Sequence, residues 1–467
     1  MTTHRLTRVA WRDASISPAP TAPVRLAHLG LGNFFRAHQA FYTEHAPDGG
    51  SWGYAAFAGR DPALAGALQA QDGLYTLVAR GPEADRFEVI SGLSEVHLGS
   101  DRAGWLACVA SPQVAAVTVT VTEAGYCLDG DARLDMSRPD VAADIARLRD
   151  SPDAAVSTAP ARLLAGLAAR RTADAGPVAV VPCDNVARNA DLLREALLDM
   201  AGAVAESLAE WIDASVSVVS TVVDRITPRS SEADVAAVER STGWTDRAAV
   251  VGEPFSEWVL AGDFPAGRPA WDQAGAQFVD DPAPYERRKL WLLNGAHSLL
   301  AYAGSILGHQ SVPGAFADER CREWVEQWWM TAGGHLDQPA PVVSAYKASL
   351  AERFSNFRLA DKLSRVAEDG SQKLPIRVLP VLRAEVAARG DPTSATRILA
   401  AWICHLRGAG APIKDVRANE FAAMCTGSLD DAALKVLAAL DAPLGADVRV
   451  VAELAEQCRQ LESYSRQ

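Results

Sequence analysis

The chain changes its hydrophobic rhythm part-way along. Up to about residue 280, apolar residues gather in short β-branched runs separated by Gly, Asp and Pro; from 285 on they recur at helical spacing. The first 20 or so residues read as an arm leading to the first core strand. VRLAHLGLGNFFRAHQAFYTEHA then predicts a strand over 24–29, a tight turn and a helix. GYAAFA predicts a second strand over 53–58. VAAVTVTVTEAG, from 114, reads as a buried parallel strand, and VAVVPCDNVARNA, from 178, and ASVSVVSTVVDRITP, from 214, repeat its grammar. The segment 252–281, GEPFSEWVLAGDFPAGRPAWDQAGAQFVDD, lacks clear periodicity and reads as an irregular covering segment, with a domain boundary near 280. Amphipathic runs follow around 317–333, 343–367, 376–389, 393–407, 430–440 and 446–463. Among them RVAEDGSQKLP, 365–375, reads as a break: Gly370 ends a helix, Pro375 follows it, and Gln372 and Lys373 fall on a loop.

The stretch YERRKLWLLNGAHSLLAYAGSILGH, 285–309, predicts one helix, with Leu290, Leu293, Leu299, Leu300 and Ile306 at roughly helical spacing. Lys289, Asn294 and His297 lie inside that pattern. At about 100° per residue, Asn294 stands about 140° and His297 about 80° from Lys289, so all three fit one side. A lysine there is partly desolvated, which disfavours its ammonium form and makes the amine usable as an acid or base near neutral pH. The ordinary reading of such a lysine is a surface residue resting its stem on apolar neighbours. Lysine usage weighs against it: of 45 Lys and Arg only six are lysine, and none precedes residue 289. A deprotonatable amine is the one thing arginine does not supply.

Composition narrows the rest. A chain of 467 residues exceeds one ordinary core, so two or three domains are expected. A formal charge of −13 argues against nucleic acid as the main partner. No apolar run reaches the roughly 18 residues of a membrane span, and the first residues lack the apolar stretch of a secretory signal. Seven scattered cysteines with no CxxC fit a reducing, cytoplasmic location and no structural zinc.

Candidate chemistry in the first half clusters at predicted strand ends. Gly30 and Gly32 form the GxG of a dinucleotide-binding turn, where the backbone can approach a pyrophosphate; Asn33 and Phe34 follow in the same turn. Phe35 replaces the third glycine, and a GxG between strand and helix is also an ordinary tight turn. Asp61, just past the second strand, is placed to read a ribose hydroxyl or simply to cap the helix after it. Arg60 beside it suits a 2′-phosphate, so NAD and NADP both stay open. Glu123, Cys183-Asp184-Asn185 and Asp224-Arg225 end three further strands, where ligands sit in open α/β sheets.

GLGNFFRAHQA, TVTEAGY, CDNVARN, STVVDRITP, EPFSEWV and KLWLLNGAHS, in that order, resemble the mannitol dehydrogenase family of polyol-specific long-chain dehydrogenases. The resemblance runs from about residue 24 to at least 380. It implies an α/β fold: a Rossmann-type doubly wound sheet domain over 1–280 and a mostly α-helical substrate domain over 281–467. It further implies a zinc-independent, NAD(P)-dependent oxidoreductase. Lys289 would be its general acid and base, Asn185 and Asn294 its oxyanion hole, and His297 would orient substrate and lysine. Glu123 would carry protons to solvent. Asp224, Arg365 and Lys373 would bind substrate hydroxyls, or, for Asp224, balance the lysine's charge. Gly30, Gly32, Asn33, Phe34, Arg60 and Asp61 would hold the cofactor. Arg365, eight residues before Lys373, and VLPVLR resemble mannitol 2-dehydrogenases; GSQKLP at 370–375 and RFSN at 353–356 resemble fructuronate reductases. D-mannitol and D-fructose lead, with a fructuronate- or tagaturonate-type keto-uronate as alternative and a non-catalytic nucleotide sensor as second alternative. The resemblance inclines towards a monomer.

Overall fold

The computed structural model describes residues 4–14, 21–59, 62–359 and 361–465. Arg60 and Asp61 lie outside them. The chain forms two compact units, Met1–Pro282 and Ala283–Gln467.

The first unit is built on six parallel strands: β1 (Val24–Leu31), β2 (Gly53–Ala58), β3 (Leu93–His97), β4 (Ala116–Val119), β5 (Val178–Pro182) and β6 (Val216–Val218). Their order across the sheet is β3-β2-β1-β4-β5-β6. That is the doubly wound order whose direction of winding reverses between β1 and β4. Two-residue periodicity sends successive side chains into two cores. Leu26, Tyr54, Ala56 and Val181 point into one, and Ala27, Ala55, Phe57, Val117 and Val180 into the other. Both faces are covered, which explains why these strands read as apolar runs rather than alternations.

Three expectations need correcting here. The run ASVSVVSTVVDRITP is two strands. After β6, Val219 donates to the Val180 carbonyl (2.9 Å), and β7 (Ser220–Asp224) leaves for a second sheet, pairing antiparallel with Glu257–Ala261. An unbroken β-branched run carries no mark of where a sheet changes. The supposedly irregular segment 252–281 supplies strands: Glu257–Ala261 and Gln277–Phe278 complete that second sheet. Just before it, Val250–Gly252 pairs parallel with Tyr75–Arg80, itself half of a hairpin with Asp85–Ile90. The N-terminal arm is not featureless either. His4–Arg5 pairs with Trp244–Thr245, and the helix Arg8–Ala14 is anchored by Arg8, which donates to the Ser91 (2.8 Å) and Leu93 (3.1 Å) carbonyls.

The second unit is helical. Helices Glu319–Gly334, Thr393–Leu406, Leu429–Leu440 and Val448–Ser465 fall on predicted runs. Every residue from Ser394 to Leu406 is buried, so this helix is the core about which the others pack. The run 343–367 is not one helix: Ala340–Phe354 ends at Ser355, a tight turn follows at Phe357–Leu359, and Leu363–Val366 resumes. Lys373 is not on a loop. It lies on the helix Gly370–Arg377, with Pro375 inside it. Gly370 starts that helix, and its role is close packing: a Cβ there would stand 2.3 Å from Tyr302 Oη and 2.5 Å from Trp402 Nε1. Asp369 turns the chain through φ +56°, and Asp415 accepts from the Ser371 N–H (2.7 Å), closing the exposed N-terminus. No helix among the described residues is long and apolar enough to cross a membrane.

Candidate active site

The GxG turn sits at the carboxyl end of β1, at the reversal point of the sheet. Gly30 has φ +109°, and a Cβ on it would lie 2.0 Å from the Thr120 carbonyl oxygen, so both conformation and space demand glycine. Gly32 is different: its Cβ would meet nothing nearer than the Gly30 oxygen, at 3.5 Å. The protein leaves room there that it does not itself fill. Thr120 Oγ1 donates to the Gly30 carbonyl (2.7 Å) and pairs with His28 Nε2 (3.2 Å). Burial lowers the His28 imidazole to about 3, so it is neutral. Phe35, where the third glycine is missing, is fully buried and stacks on His28 with ring centroids 3.5 Å apart. The substitution thus fills the gap between helix and strand rather than blocking the turn.

The helix after the turn is broken at His38 into α1 (Asn33–Ala37) and α2 (Gln39–His45). Arg36 is buried and lashes the turn down, donating to the Gly32 carbonyl (3.2 Å), to Asn33 Oδ1 (2.7 Å) and to the Ala248 carbonyl. Burial lowers its guanidinium only to about 10, so it keeps its charge. Asn33 also donates to the Pro228 carbonyl (3.2 Å), and Phe34 stacks on His38 at 4.8 Å. Both are half-buried.

Beyond β4 and β5 lie the other polar candidates of this unit. Glu123 opens the tight turn Glu123–Tyr126 and is exposed; Asn185, two residues past the buried Cys183, is exposed as well. Between them sits a buried residue that sequence reading left as one member of a triplet. Asp184 accepts from the Val121 N–H (2.6 Å) and from Tyr126 Oη (2.7 Å). Burial pushes its carboxyl from 3.8 up to about 7, against the pull of those two bonds. A carboxyl raised on folding contributes stability that is fully present below pH 3.8 and is lost as pH rises through 7. Asp184→Asn should therefore flatten the fall in Tm between pH 4 and 7; calorimetry across that range checks it. Asp224 is buried at the end of β7. Its neighbour Arg225 is structural: it donates to the Glu253 (2.9 Å) and Ala37 (2.5 Å) carbonyls and lies over Phe41.

In the helical unit, the predicted single helix is interrupted. Ala283–Arg288 is α-helical, Lys289–Asn294 is a π-helix, Gly295–Leu299 is α-helical and Leu300–Gly304 is π-helical again. A π turn closes i→i+5, so residues five apart come nearly one above the other. Lys289 and Asn294 are five apart, and the π turn draws them closer than the 140° of an α-helix. Both are buried, at 8 % and 7 % exposure. Two distant tryptophans stabilise the altered winding. Trp328 Nε1 donates to the Trp291 carbonyl (2.8 Å) and Trp329 Nε1 to the Leu292 carbonyl (2.9 Å), supplying main-chain oxygens inside the π segment with partners. Gly295 lets Trp328 lie flat: a Cβ there would stand 2.7 Å from the indole. Gly295→Ala should cost about 1–3 kcal/mol through overpacking, read as a lowered denaturant midpoint.

Asn294 Nδ2 is buried with no hydrogen-bond partner among the described residues. Its main-chain oxygen is held by Ser298 Oγ (3.1 Å) and Arg377 Nη1 (3.5 Å). Arg377, buried on the Gly370–Arg377 helix, was not foreseen; one more arginine in an arginine-rich chain carries no signal. His297 stacks on Phe354 at 4.8 Å. Lys373 Nζ donates to the Glu368 (2.5 Å) and Val366 (3.5 Å) carbonyls. Arg365 is exposed and grips Asp361 with both arms, at 3.0 and 2.8 Å. Among the described residues, one trio of metal-ligand type falls together, His309, Asp318 and Cys321. There Asp318 pairs with His309 (3.1 Å) and caps the helix at Glu319, accepting from the Arg320 (2.9 Å) and Cys321 (3.1 Å) N–H groups.

Residues 24–273 match the model of the mannitol dehydrogenase Rossmann domain, and residues 281–462 that of the mannitol dehydrogenase C-terminal domain. The chain belongs to the mannitol dehydrogenase family. Within the family it is 38% identical over 392 residues to D-arabinitol 4-dehydrogenase of Ralstonia nicotianae, covering 81% of this chain and 82% of the relative. It is 35% identical over 400 residues to D-mannonate oxidoreductase of Escherichia coli, covering 82% and 80%. The solved ternary complex of Pseudomonas fluorescens mannitol 2-dehydrogenase with NAD and D-mannitol superposes with a TM-score of 0.81 at 31% identity, covering 96% of this chain and 95% of that one. Mannitol dehydrogenase family membership accounts for the two-unit organisation and for the sheet order. It leaves open which of the family's substrates this chain takes.

Proposed function

We propose that the chain is an NAD-dependent oxidoreductase interconverting a polyol and its ketose, with D-mannitol and D-fructose as the leading pair. The observation that carries the reading is a π turn that opens on a buried amine, Lys289, and closes on a buried amide donor, Asn294 Nδ2, that has no bond within the described protein. An unbonded buried donor costs about 1–3 kcal/mol, a cost offset when a substrate oxygen accepts from it.

The nucleotide turn fits the cofactor. Gly30 is needed by the fold, Gly32 by nothing in it, and space beside Gly32 suits a phosphate approaching the backbone. NAD held there supplies the acceptor or, when reduced, the donor of hydride. Lys289 takes the proton of the reacting hydroxyl during oxidation and returns it during reduction. Asn294 Nδ2 and the Asn185 amide donate to the oxygen as charge builds on it. His297, with its ring fixed on Phe354, orients the hydroxyl. Exposed Glu123 passes the proton to solvent. Asp224, Lys373 and Arg365 bind hydroxyls away from the reacting carbon, and the protein works as a monomer.

The relative named D-mannonate oxidoreductase supports a second reading, an aldonate substrate. A uronate or aldonate carboxylate is best held by a bidentate arginine. Arg365 already gives that fork to Asp361, which favours an uncharged polyol. Phe35, the sole ground for a non-catalytic sensor, is explained by core packing against His28. Comparing kcat/KM for D-mannitol, D-arabinitol and D-mannonate tests the choice. D-mannitol should be preferred, and Arg365→Ala should raise its KM with kcat little changed; a preference for D-mannonate would establish the aldonate reading instead.

A further inference from the structure

Asp184 is a buried charge-bearing group that the proposed chemistry does not use. One of its oxygens holds Val121, two residues before Glu123, and the other holds Tyr126, three residues after it. Asp184 is itself the residue before Asn185. Asn189, at the start of the next helix, fixes the same strand end by donating to the Thr221 carbonyl (3.0 Å) and to Thr221 Oγ1 (3.1 Å), while Thr221 Oγ1 donates to the Pro182 carbonyl (2.5 Å). Apart from the Tyr126 bond to Asp184, the hydrogen bonds of the Glu123 turn among the described residues are local, Gly125 N–H to the Thr122 carbonyl (2.8 Å) and Cys127 N–H to the Ala124 carbonyl (3.3 Å).

We propose that Asp184 is a positioning residue that clamps the Glu123 turn to the end of β5, so that Glu123 and Asn185 keep a fixed spacing. The inference rests on the function proposed above, in which those two residues serve proton transfer and oxyanion binding. An ionised Asp184 accepts both bonds. A protonated one must donate its own proton, and the neighbour able to receive it is Tyr126 Oη, which must then turn its hydrogen away. The titratable groups bearing on Asp184 are Tyr126 and Glu123 on the turn and Cys183 on its own strand. Burial raises the Tyr126 hydroxyl and the Cys183 thiol, so both keep their protons at neutral pH. With burial lifting Asp184 to about 7, opening the turn to solvent returns the carboxyl towards 3.8, so ionisation favours the open turn and the clamp loosens as pH rises through neutrality.

Two variants and one exchange measurement test this on the full-length protein. Asp184→Ala removes both bonds: amide hydrogen exchange over residues 121–127 should speed up, kcat should fall on the order of ten-fold as groups lose registration, and KM for NAD should hold. Asp184→Asn offers an acceptor to Val121 and a donor to Tyr126 without a titrating proton, so the loosening of residues 121–127 as pH rises through 7, read as exchange faster than its intrinsic pH dependence, should flatten relative to the native enzyme. Should Asp184→Ala fail to fold, Tyr126→Phe removes one bond and should speed exchange over the same segment. Unchanged exchange in these variants would overturn the clamp. So would an Asp184→Ala enzyme in which NAD affinity falls as far as kcat, which is general damage. So would the same excess exchange above pH 7 in Asp184→Asn as in the native protein. The exchange measurement needs no substrate, so it judges the clamp even if the native protein turned over no polyol, an outcome that would defeat the proposed function alone.

Discussion

Lys289→Ala is expected to lower kcat for polyol oxidation by about 10²–10⁴-fold, the usual contribution of a general base. NAD affinity should stay close to that of the unaltered protein, because the nucleotide turn and Lys289 belong to different folding units. Reduced-nicotinamide fluorescence gives the binding half of the comparison and steady-state kinetics the other. The lysine is buried at the first residue of a π turn, in a chain with no other lysine before it. In the proposed chemistry its removal deletes the side chain on that helix that takes and returns the proton of the reacting hydroxyl. Turnover retained within ten-fold would take lysine acid–base chemistry out of the account.

The second large effect separates two glycines that look equivalent in the sequence. Gly30→Ala must hold a Cβ at φ +109° and 2.0 Å from a carbonyl oxygen. Strain of about 1–3 kcal/mol and overpacking of about 1–3 kcal/mol add up against a typical domain stability of roughly 5–15 kcal/mol. The variant should lose much of its thermal stability. Gly32→Ala meets no atom of the protein closer than 3.5 Å. Its Tm should be that of the native protein, while NAD binding weakens because the methyl occupies the space left for a phosphate. Calorimetry and a nicotinamide titration, run on both variants, read the two effects separately. Equal NAD affinity in Gly32→Ala and the native protein would move the cofactor away from this turn.

Much of the sheet could be read from sequence because its central strands are buried on both faces and so announce themselves as apolar runs. Gly53–Ala58 is the strand GYAAFA at its expected ends. What could not be read depends on partners far along the chain. The π winding of Lys289–Asn294 is supported by indoles 37 residues away, and nothing local in KLWLLN distinguishes i→i+5 from i→i+4 closure. Lys373 looked like a loop residue because Gly370 and Pro375 are helix punctuation; Gly370 is instead glycine because Tyr302 and Trp402 leave no space for a methyl. The split after Val219 was hidden in a continuous β-branched run. Asp184 reads as one polar residue of a strand-end triplet, and its burial emerges only once the sheet order brings Tyr126 beside it. Arg36 and Arg377 tie down main chain beside the proposed machinery, yet neither stands out in a chain that uses arginine for almost every positive charge, and Arg225, legible as a strand-end residue, bonds main-chain carbonyls instead of presenting a charge.

The most direct test is to follow the reduced-nicotinamide absorbance band of the native protein with NAD and D-mannitol, in a metal chelator, while measuring proton release and ketose formed. One reduced nicotinamide and one proton should appear for each D-fructose, at a rate the chelator does not change. No absorbance change with D-mannitol, D-arabinitol or D-mannonate, under conditions where NAD is shown to bind, would contradict it.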